Sequence, residues 1–203
     1  MGNGNKAEML IAICAVITSV IALFVAWDQG RVMRAQQHGS VFPVLQADGS
    51  ISNTPGTRRL GLSFANSGVG PALIESVEVM RGDTRLVSLI EYRDRLPEGY
   101  QISWTSMVGR AVAPGDEVLA VEMVWPEGAI SAEQHAAVAA EWSDLTFEVC
   151  YCSVFERCWK GYFLNNEQTE RTKACQRSEV DVFEELSSAP QSLNINTPEL
   201  ETP

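Results

Sequence analysis

The clearest hydrophobic pattern in the chain is an uninterrupted apolar run close to its N-terminus. Residues 9–27 (MLIAICAVITSVIALFVAW) contain no charged residue and no proline. An α-helix of this length spans about 28 Å, close to the roughly 30 Å hydrocarbon core of a bilayer, and a helix satisfies its own backbone hydrogen bonds in lipid. The run therefore predicts a transmembrane helix over residues 9–27, in contact with the lipid bilayer, after a short tail over residues 1–8.

A cleaved signal peptide and a buried core helix are the alternative interpretations of this run. Signal peptides have a shorter apolar stretch and small residues before the cleavage site. Here Phe24 and Trp27 flank Val25 and Ala26, which is a poor cleavage site. A helix that is apolar on every face at the start of a chain also favours a membrane span over a soluble core. Cys14 is interpreted as a small apolar side chain within the span.

The hydrophobic pattern changes after residues 28–40, a polar stretch that predicts a juxtamembrane linker. Short apolar runs then alternate with turn residues at the spacing of an all-β sandwich. Residues 59–65 alternate apolar and small or polar positions. Gly82-Asp83 predicts a hairpin turn between strands over residues 73–80 and 86–90. The most regular strand, residues 117–125, is expected to place one apolar set on a single face: Leu119, Val121, Met123 and Trp125.

These runs predict a mainly β domain over residues 41–165, an immunoglobulin-like antiparallel β-sandwich with one short inserted helix. Pro43 indicates an edge strand over residues 41–47, since proline cannot donate a ladder hydrogen bond. Ser131 and Gln134 form a capping-box pattern that begins the helix, and residues 145–152 and 158–164 predict the final hairpin. Residues 166–203 form a polar, acidic tail that we expect to be largely disordered from about residue 187.

The most distinctive short motif is the string Asn66-Ser67-Gly68-Val69-Gly70-Pro71-Ala72. Glycine allows left-handed backbone conformations, proline blocks ladder pairing, and asparagine can hydrogen-bond nearby backbone, so Asn66, Gly68, Gly70 and Pro71 predict a sharp connection between strands. The string lacks the strand-to-helix context of a glycine loop that binds phosphate. We therefore assign it a structural role.

Four of the five cysteines lie in the domain and the tail: Cys150, Cys152, Cys158 and Cys175. In the predicted hairpin Cys152 faces Cys158, a separation that a disulfide can bridge. Cys150 and Cys175 would then form a second bridge. This is one of three pairings that four cysteines allow, and the other two stay open at this point.

A zinc site with the same four cysteines as ligands is the alternative interpretation. Zinc ribbons usually have paired Cys-x2-Cys ligands, whereas Cys150 and Cys152 are one residue apart and Cys175 has no such partner. The chain also lacks the Cys-x-x-Cys motif of disulfide oxidoreductases. The sequence therefore predicts no metal and no cofactor, with zinc as the runner-up.

Composition and charge narrow the possible partners. The net charge of −11 argues against nucleic acid as a partner, because phosphate backbones bind clustered lysine and arginine. His38 and His135 are interpreted as surface residues, no Gly-x-Ser-x-Gly frames a nucleophile, and the tail carboxylates are expected to stay solvated. We therefore predict no catalytic residue and no enzymatic activity.

The orientation of the anchor depends on charge and on the cysteines. The amino terminus and Lys6 oppose Arg31 and Arg34 across the span, which leaves the positive-inside rule nearly balanced. Disulfides persist in oxidising compartments, so an even number of cysteines outside the span favours a periplasmic or extracellular domain.

Four features occur together over residues 9–164: the apolar span, the polar neck, the Asn-x-Gly-x-Gly-Pro-Ala string, and the later Tyr-Cys-Ser-Val-Phe with a nearby tryptophan. This combination resembles a loose group of uncharacterised bacterial single-pass membrane proteins with a small β-sandwich-like domain. The resemblance implies attachment to the bacterial inner membrane and no specific activity. We expect a membrane-anchored, non-enzymatic interaction or structural module with a protein partner, or alternatively a metal-binding or enzyme-accessory subunit.

Overall fold

A computed structural model of the protein describes residues 4–164 and 168–187, which belong to two compact units divided after Phe42. The first unit contains the helix α1, Gly4–Gly39. From residue 8 its apolar side chains are exposed, and α1 is the one helix among the described residues that is long and apolar enough to cross a membrane. The helix also includes residues 28–39, so the stretch predicted as a polar linker is helical as far as Gly39.

The second unit is a sandwich of two antiparallel sheets, and its strands follow the immunoglobulin order. The first sheet contains β1 (Leu45–Thr54), β2 (Thr57–Asn66), β5 (Gln101–Trp104) and β7 (Glu117–Pro126), arranged β1-β2-β7-β5. The second contains β3 (Ala72–Arg81), β4 (Thr84–Leu86), β6 (Ala111–Val112), β8 (Leu145–Cys152), β9 (Cys158–Phe163) and β10 (Glu170–Thr172). Its order is β10-β9-β8-β3-β4, and β6 pairs with the start of β3.

These orders correspond to A-B-E-D and G-F-C-C′ of an immunoglobulin domain, with β10 added beside strand G. The prediction of a mainly β, immunoglobulin-like sandwich is therefore confirmed. The core lies between the sheets, where Leu60, Leu62 and Phe64 of β2 are fully buried as their alternation predicts. The hairpin turn at Gly82-Asp83 is also present, and Gly82 has the positive φ of 56° that such turns favour in glycine.

Short helices close the sandwich. The helix α3, Ala132–Ser143, begins with the predicted capping box, in which Ser131 and Gln134 hydrogen-bond each other's backbone N–H groups. It buries Val138, Ala139 and Trp142 on the face that packs on the domain. A second helix, α2 (Ile90–Arg93), lies where the sequence suggested a strand over residues 86–90. The strand β4 ends at Leu86, so that part of the strand assignment is wrong.

One feature of β7 differs from the sequence pattern. Val121, Met123 and Trp125 are buried together, but Leu119 is 40% exposed and Ala120 is buried. The register against β2 shifts between Leu62 and Ser63, so β7 has one extra residue there. A β-bulge of this kind reverses the alternation of faces along a strand. The predicted face is therefore correct only on the C-terminal side of the bulge.

The domain continues beyond the boundary predicted at residue 165. Residues 168–187, which we call the strap, add β10 beside β9 and then cross to β3, where the Ser178 backbone N–H donates to the Glu75 carbonyl at 2.9 Å. The strap ends in a 3₁₀ helix, Glu184–Ser187. Phe183 is fully buried there, with its ring 5.9 Å from that of Phe147 and 6.4 Å from that of Phe64. A segment interpreted as polar tail thus contributes to the core.

Asp181 fixes the end of the strap on the domain. One carboxylate oxygen accepts hydrogen bonds from the backbone N–H groups of Met107 and Val108 at 2.5 and 2.6 Å, and the other accepts from the Phe183 N–H at 2.9 Å. Asp181 is one of several acidic residues in this segment, so the sequence does not indicate that it binds the backbone of residues 107 and 108. The disorder expected beyond residue 187 concerns residues outside the described part of the chain.

We predict that Phe183→Ala lowers the free energy of unfolding of the full-length protein by about 3 kcal/mol, since it opens a cavity between the two sheets. Urea unfolding in detergent, followed by tryptophan fluorescence, measures the change. Val180→Ala is the matched control, because Val180 lies in the same strap but is 49% exposed, and we expect a change within about 0.5 kcal/mol. Equal effects of the two substitutions would contradict the packing of the strap in the core.

Candidate functional site: the loop end and its paired disulfides

Two connections meet at one end of the sandwich. Residues 67–71 join β2 to β3 and residues 153–157 join β8 to β9, and they lie side by side because Leu73 pairs with Cys152 across the sheet. The first residues of the domain reach the same end, where Leu45 pairs with Asn66. We call this region the loop end. In immunoglobulin variable domains the corresponding B–C and F–G loops belong to the antigen-binding end.

The side chain of Asn66 organises the loop end. It is 1% exposed and makes four hydrogen bonds to backbone. Its Oδ1 accepts from the N–H groups of Val44 at 3.2 Å and Gly68 at 3.0 Å, while its Nδ2 donates to the carbonyls of Gly70 at 2.8 Å and Val112 at 2.9 Å. One buried amide therefore joins the start of the domain, the β2–β3 connection and β6.

The rest of the predicted string has a different role from the one expected. Neither Gly68 nor Gly70 is among the described glycines with positive φ, so the left-handed conformation anticipated there does not occur. The bend instead results from the Asn66 carboxamide, which replaces the missing backbone partners, and from Pro71 just before β3. The sharp connection itself is present.

The four predicted cysteines form two adjacent disulfides. Cys152 is joined to Cys158, its direct partner in the β8–β9 register, and Cys150 is joined to Cys175 of the strap. The structure thus has the same pairing that the hairpin geometry favours. Cys14 in α1 is the free cysteine.

The disulfides cover the outer face of the second sheet. Along β8, Phe147, Val149 and Tyr151 belong to the core, so the alternating Cys150 and Cys152 point away from it. The strap crosses this outer face, and its bond to Cys150 holds it there. Three of the four cysteines are at most 8% exposed, namely Cys150, Cys152 and Cys158, whereas Cys175 is partly exposed.

An open cleft of about 540 Å³ lies between the strap and the β8–β9 connection. Both disulfides contribute to its wall through Cys152, Cys158 and Cys175. Gly109, whose φ is 81°, passes directly under the Arg177 guanidinium, and a Cβ there would overlap that group. The cleft is also lined by charged and apolar side chains, among them Leu73, Glu75, Val154, Glu156, Lys173 and Arg177.

Three sulfur atoms of the site are unusually close together. The Sγ atoms of Cys152, Cys158 and Cys175 all lie within 4.8 Å of one another, while Cys150 is outside that group. Thiolate sulfurs bound to one zinc ion are each about 2.3 Å from it and therefore about 3.8 Å apart. The reduced site would need only small shifts to hold a thiophilic metal. In the disulfide form these sulfurs are not thiolates and do not act as metal ligands.

Ionisable groups around the site have clear partners. Lys160 on β9 contacts the Glu148 carboxylate, and this hydrogen bond raises the pKa of the lysine above its usual value. Burial raises the pKa of the Tyr151 hydroxyl. The ring of Tyr151 stacks on that of Trp159, with the ring centroids 5.8 Å apart. Both groups keep their neutral-pH forms, the ammonium and the phenol, and neither has the shifted pKa of a general base near pH 7.

The interpretation of His135 as a surface residue is wrong. It is 2% exposed, with Nε2 3.3 Å from the Arg59 carbonyl and its ring edge against Trp125. Its position on the inner face of α3 explains the burial, since that face also contains Ala139 and Trp142. Trp125, Trp142 and Trp159 are buried and Trp104 is half-buried, so these rings belong to the core and its margins.

No protein-family model matches this chain, and a search of curated proteins finds no match to it. The loop end, the cleft and α1 are therefore the features of the molecule that point to its function.

We predict that Asn66→Ala lowers the free energy of unfolding by about 2–4 kcal/mol, because four backbone groups lose their partner at a buried position. Urea unfolding of the full-length protein provides the measurement. Ser67→Ala is the control, since Ser67 is exposed and its hydroxyl makes only a 3.4 Å contact to the Val44 carbonyl. A loss below about 1 kcal/mol for Asn66→Ala would contradict the organising role of this amide.

Proposed function

We propose that this protein is a membrane-anchored, non-enzymatic binding module whose immunoglobulin-like domain recognises a protein partner through the loop end. The anchor is the apolar part of α1, residues 9–27. The membrane is the bacterial inner membrane, and the domain lies on its periplasmic or extracellular side. The observation that carries the proposal is the set of exposed apolar side chains at the tips of two adjacent, internally braced loops.

The apolar tips favour a protein partner. Val69 is 63% exposed in the β2–β3 connection, and Val154 and Phe155 are 49% and 46% exposed in the β8–β9 connection. Exposed aliphatic and aromatic side chains on a rigid framework are typical of protein interfaces, since they bury apolar area with little loss of conformational entropy. Asn66 braces the first loop and the Cys152–Cys158 bond braces the second.

The disulfides support a periplasmic or extracellular position of the domain. Two bonds among the four cysteines of the domain fit an oxidising compartment, because reducing systems keep most cytosolic thiols free. The flanking charges of α1 leave the orientation nearly balanced, so the proposed side of the membrane depends on the cysteines. Helix α1 supports the anchor by its length and apolar composition.

A second candidate function is supported by the clustered sulfurs. A metal-binding or enzyme-accessory subunit would use Cys150, Cys152, Cys158 and Cys175 as thiolate ligands of zinc. The grouping of three Sγ atoms within 4.8 Å favours this candidate. It requires reduced cysteines, whereas the binding module requires disulfides, so the redox state of the domain separates the two functions.

Photo-crosslinking in cells tests the binding module directly. We predict that a photoreactive residue at position 69 or at position 154 gives one adduct of the same mass, because both tips contact the same partner. Adding Phe155→Ser should reduce the yield from position 154 several-fold, since it removes the aromatic side chain of that tip.

Position 83 is the matched control, since Asp83 is also exposed but lies in the β3–β4 turn at the other end of β3. It should give no adduct of that mass. An identical adduct from position 83, or different adducts from positions 69 and 154, would show that the loop end is not the binding surface.

A further inference from the structure

The relative placement of the two disulfides has a chemical consequence. Cys175 is bonded to Cys150, yet its Sγ lies within 4.8 Å of both sulfurs of the neighbouring Cys152–Cys158 bond. That limit places the sulfur of Cys175 next to the neighbouring bond, at or beyond van der Waals contact with its two sulfurs. A thiolate at Cys175 would therefore lie beside that disulfide, and attack in line with the S–S bond requires a movement of the Cys175 side chain or of the strap.

Cys175 is also the sulfur that a reagent from solution can reach. It is the one cysteine of the four that is partly exposed, and it lines the open cleft of about 540 Å³. Lys173 and Arg177 lie along the same cleft on either side of it in the strap, opposed by Glu75 and Glu156. The thiolate is the nucleophile in disulfide exchange, and the open cleft gives an external reagent access to the sulfur of Cys175.

We propose that the four cysteines form a two-disulfide exchange unit. When the Cys150–Cys175 bond is reduced, Cys175 exchanges with the Cys152–Cys158 bond and takes one of its sulfurs as a new partner. The co-reactant is an external dithiol, such as the cysteine pair of a thiol-disulfide oxidoreductase. It reduces the Cys150–Cys175 bond, giving up two electrons and two protons, and leaves as its own disulfide. The Cys175 thiolate then attacks one sulfur of the Cys152–Cys158 bond, forming a new disulfide and releasing the other sulfur as a thiolate.

The exchange changes which part of the domain the strap is attached to. In the ground state the strap is bonded to Cys150 in β8, while after exchange it is bonded to the β8–β9 hairpin through Cys152 or Cys158. The wall of the cleft includes Cys152, Cys158 and Cys175. The redox state of one bond thus alters the shape of the loop end. The exchange concerns the chemistry of the sulfurs and is independent of the identity of any binding partner.

Two matched variants of the full-length protein in detergent test the exchange. Cys150→Ser leaves Cys175 unpaired beside the Cys152–Cys158 bond, whereas Cys175→Ser leaves Cys150, which is outside the 4.8 Å sulfur group. Each variant loses the same covalent link, so their stabilities are comparable. After acid quenching and alkylation, mass mapping should find crossed disulfides of Cys175 with Cys152 or Cys158 in the first variant. Their amount should exceed crossed disulfides of Cys150 in the second by about tenfold or more.

The wild-type protein provides a second measurement that does not depend on the folding of the variants. With one equivalent of dithiothreitol, we expect a transient species in which Cys175 is bonded to Cys152 or Cys158. Retention of the Cys152–Cys158 bond with a fully alkylated Cys175 in Cys150→Ser would overturn the proposal. So would stepwise loss of the two native bonds in the wild type with no crossed species.

Discussion

The covalent bond between Cys150 and Cys175 is the constraint on which the arrangement of the domain depends. It holds a polar segment on the outer face of the second sheet, from where the strap continues around β3 and places Phe183 between the sheets. A link across 25 residues stabilises a fold by about 3.5 kcal/mol through loop-closure entropy alone. Without it, the hydrogen bonds of Asp181 and the burial of Phe183 would have to offset the entropy of ordering the whole strap.

The same bond connects the core to the surface that we propose for binding. The strap forms one side of the cleft, and the hairpin closed by Cys152 and Cys158 forms the other. Asn66 braces the neighbouring connection with a single buried amide. The loop end is therefore braced where it meets the sheets and apolar at its tips, and the proposed recognition of a protein partner rests on this combination.

Sequence patterns predicted the features that depend on local periodicity and local chemistry. The apolar run of α1, the alternation in β2, the capping box of Ser131 and the cross-strand pair Cys152–Cys158 all follow from residues close together in the chain. The failures involve long-range packing. Leu119 is exposed because a bulge opposite Leu62 shifts its register, His135 is buried because α3 places it against Trp125, and Phe183 enters the core from a segment whose composition is polar. No local pattern reports such contacts.

The count of free thiols in the full-length protein, taken from cells quenched in acid, shows whether the two disulfides exist in the cell. A denatured sample alkylated with a maleimide of high mass, without reduction, should gain one label, at Cys14, because the other four cysteines are paired. After reduction it should gain five, one for each cysteine. This result is expected of a domain outside the cytoplasm. Five labels without reduction would contradict the account, since the domain would then face a reducing compartment and its sulfurs would be free to bind metal.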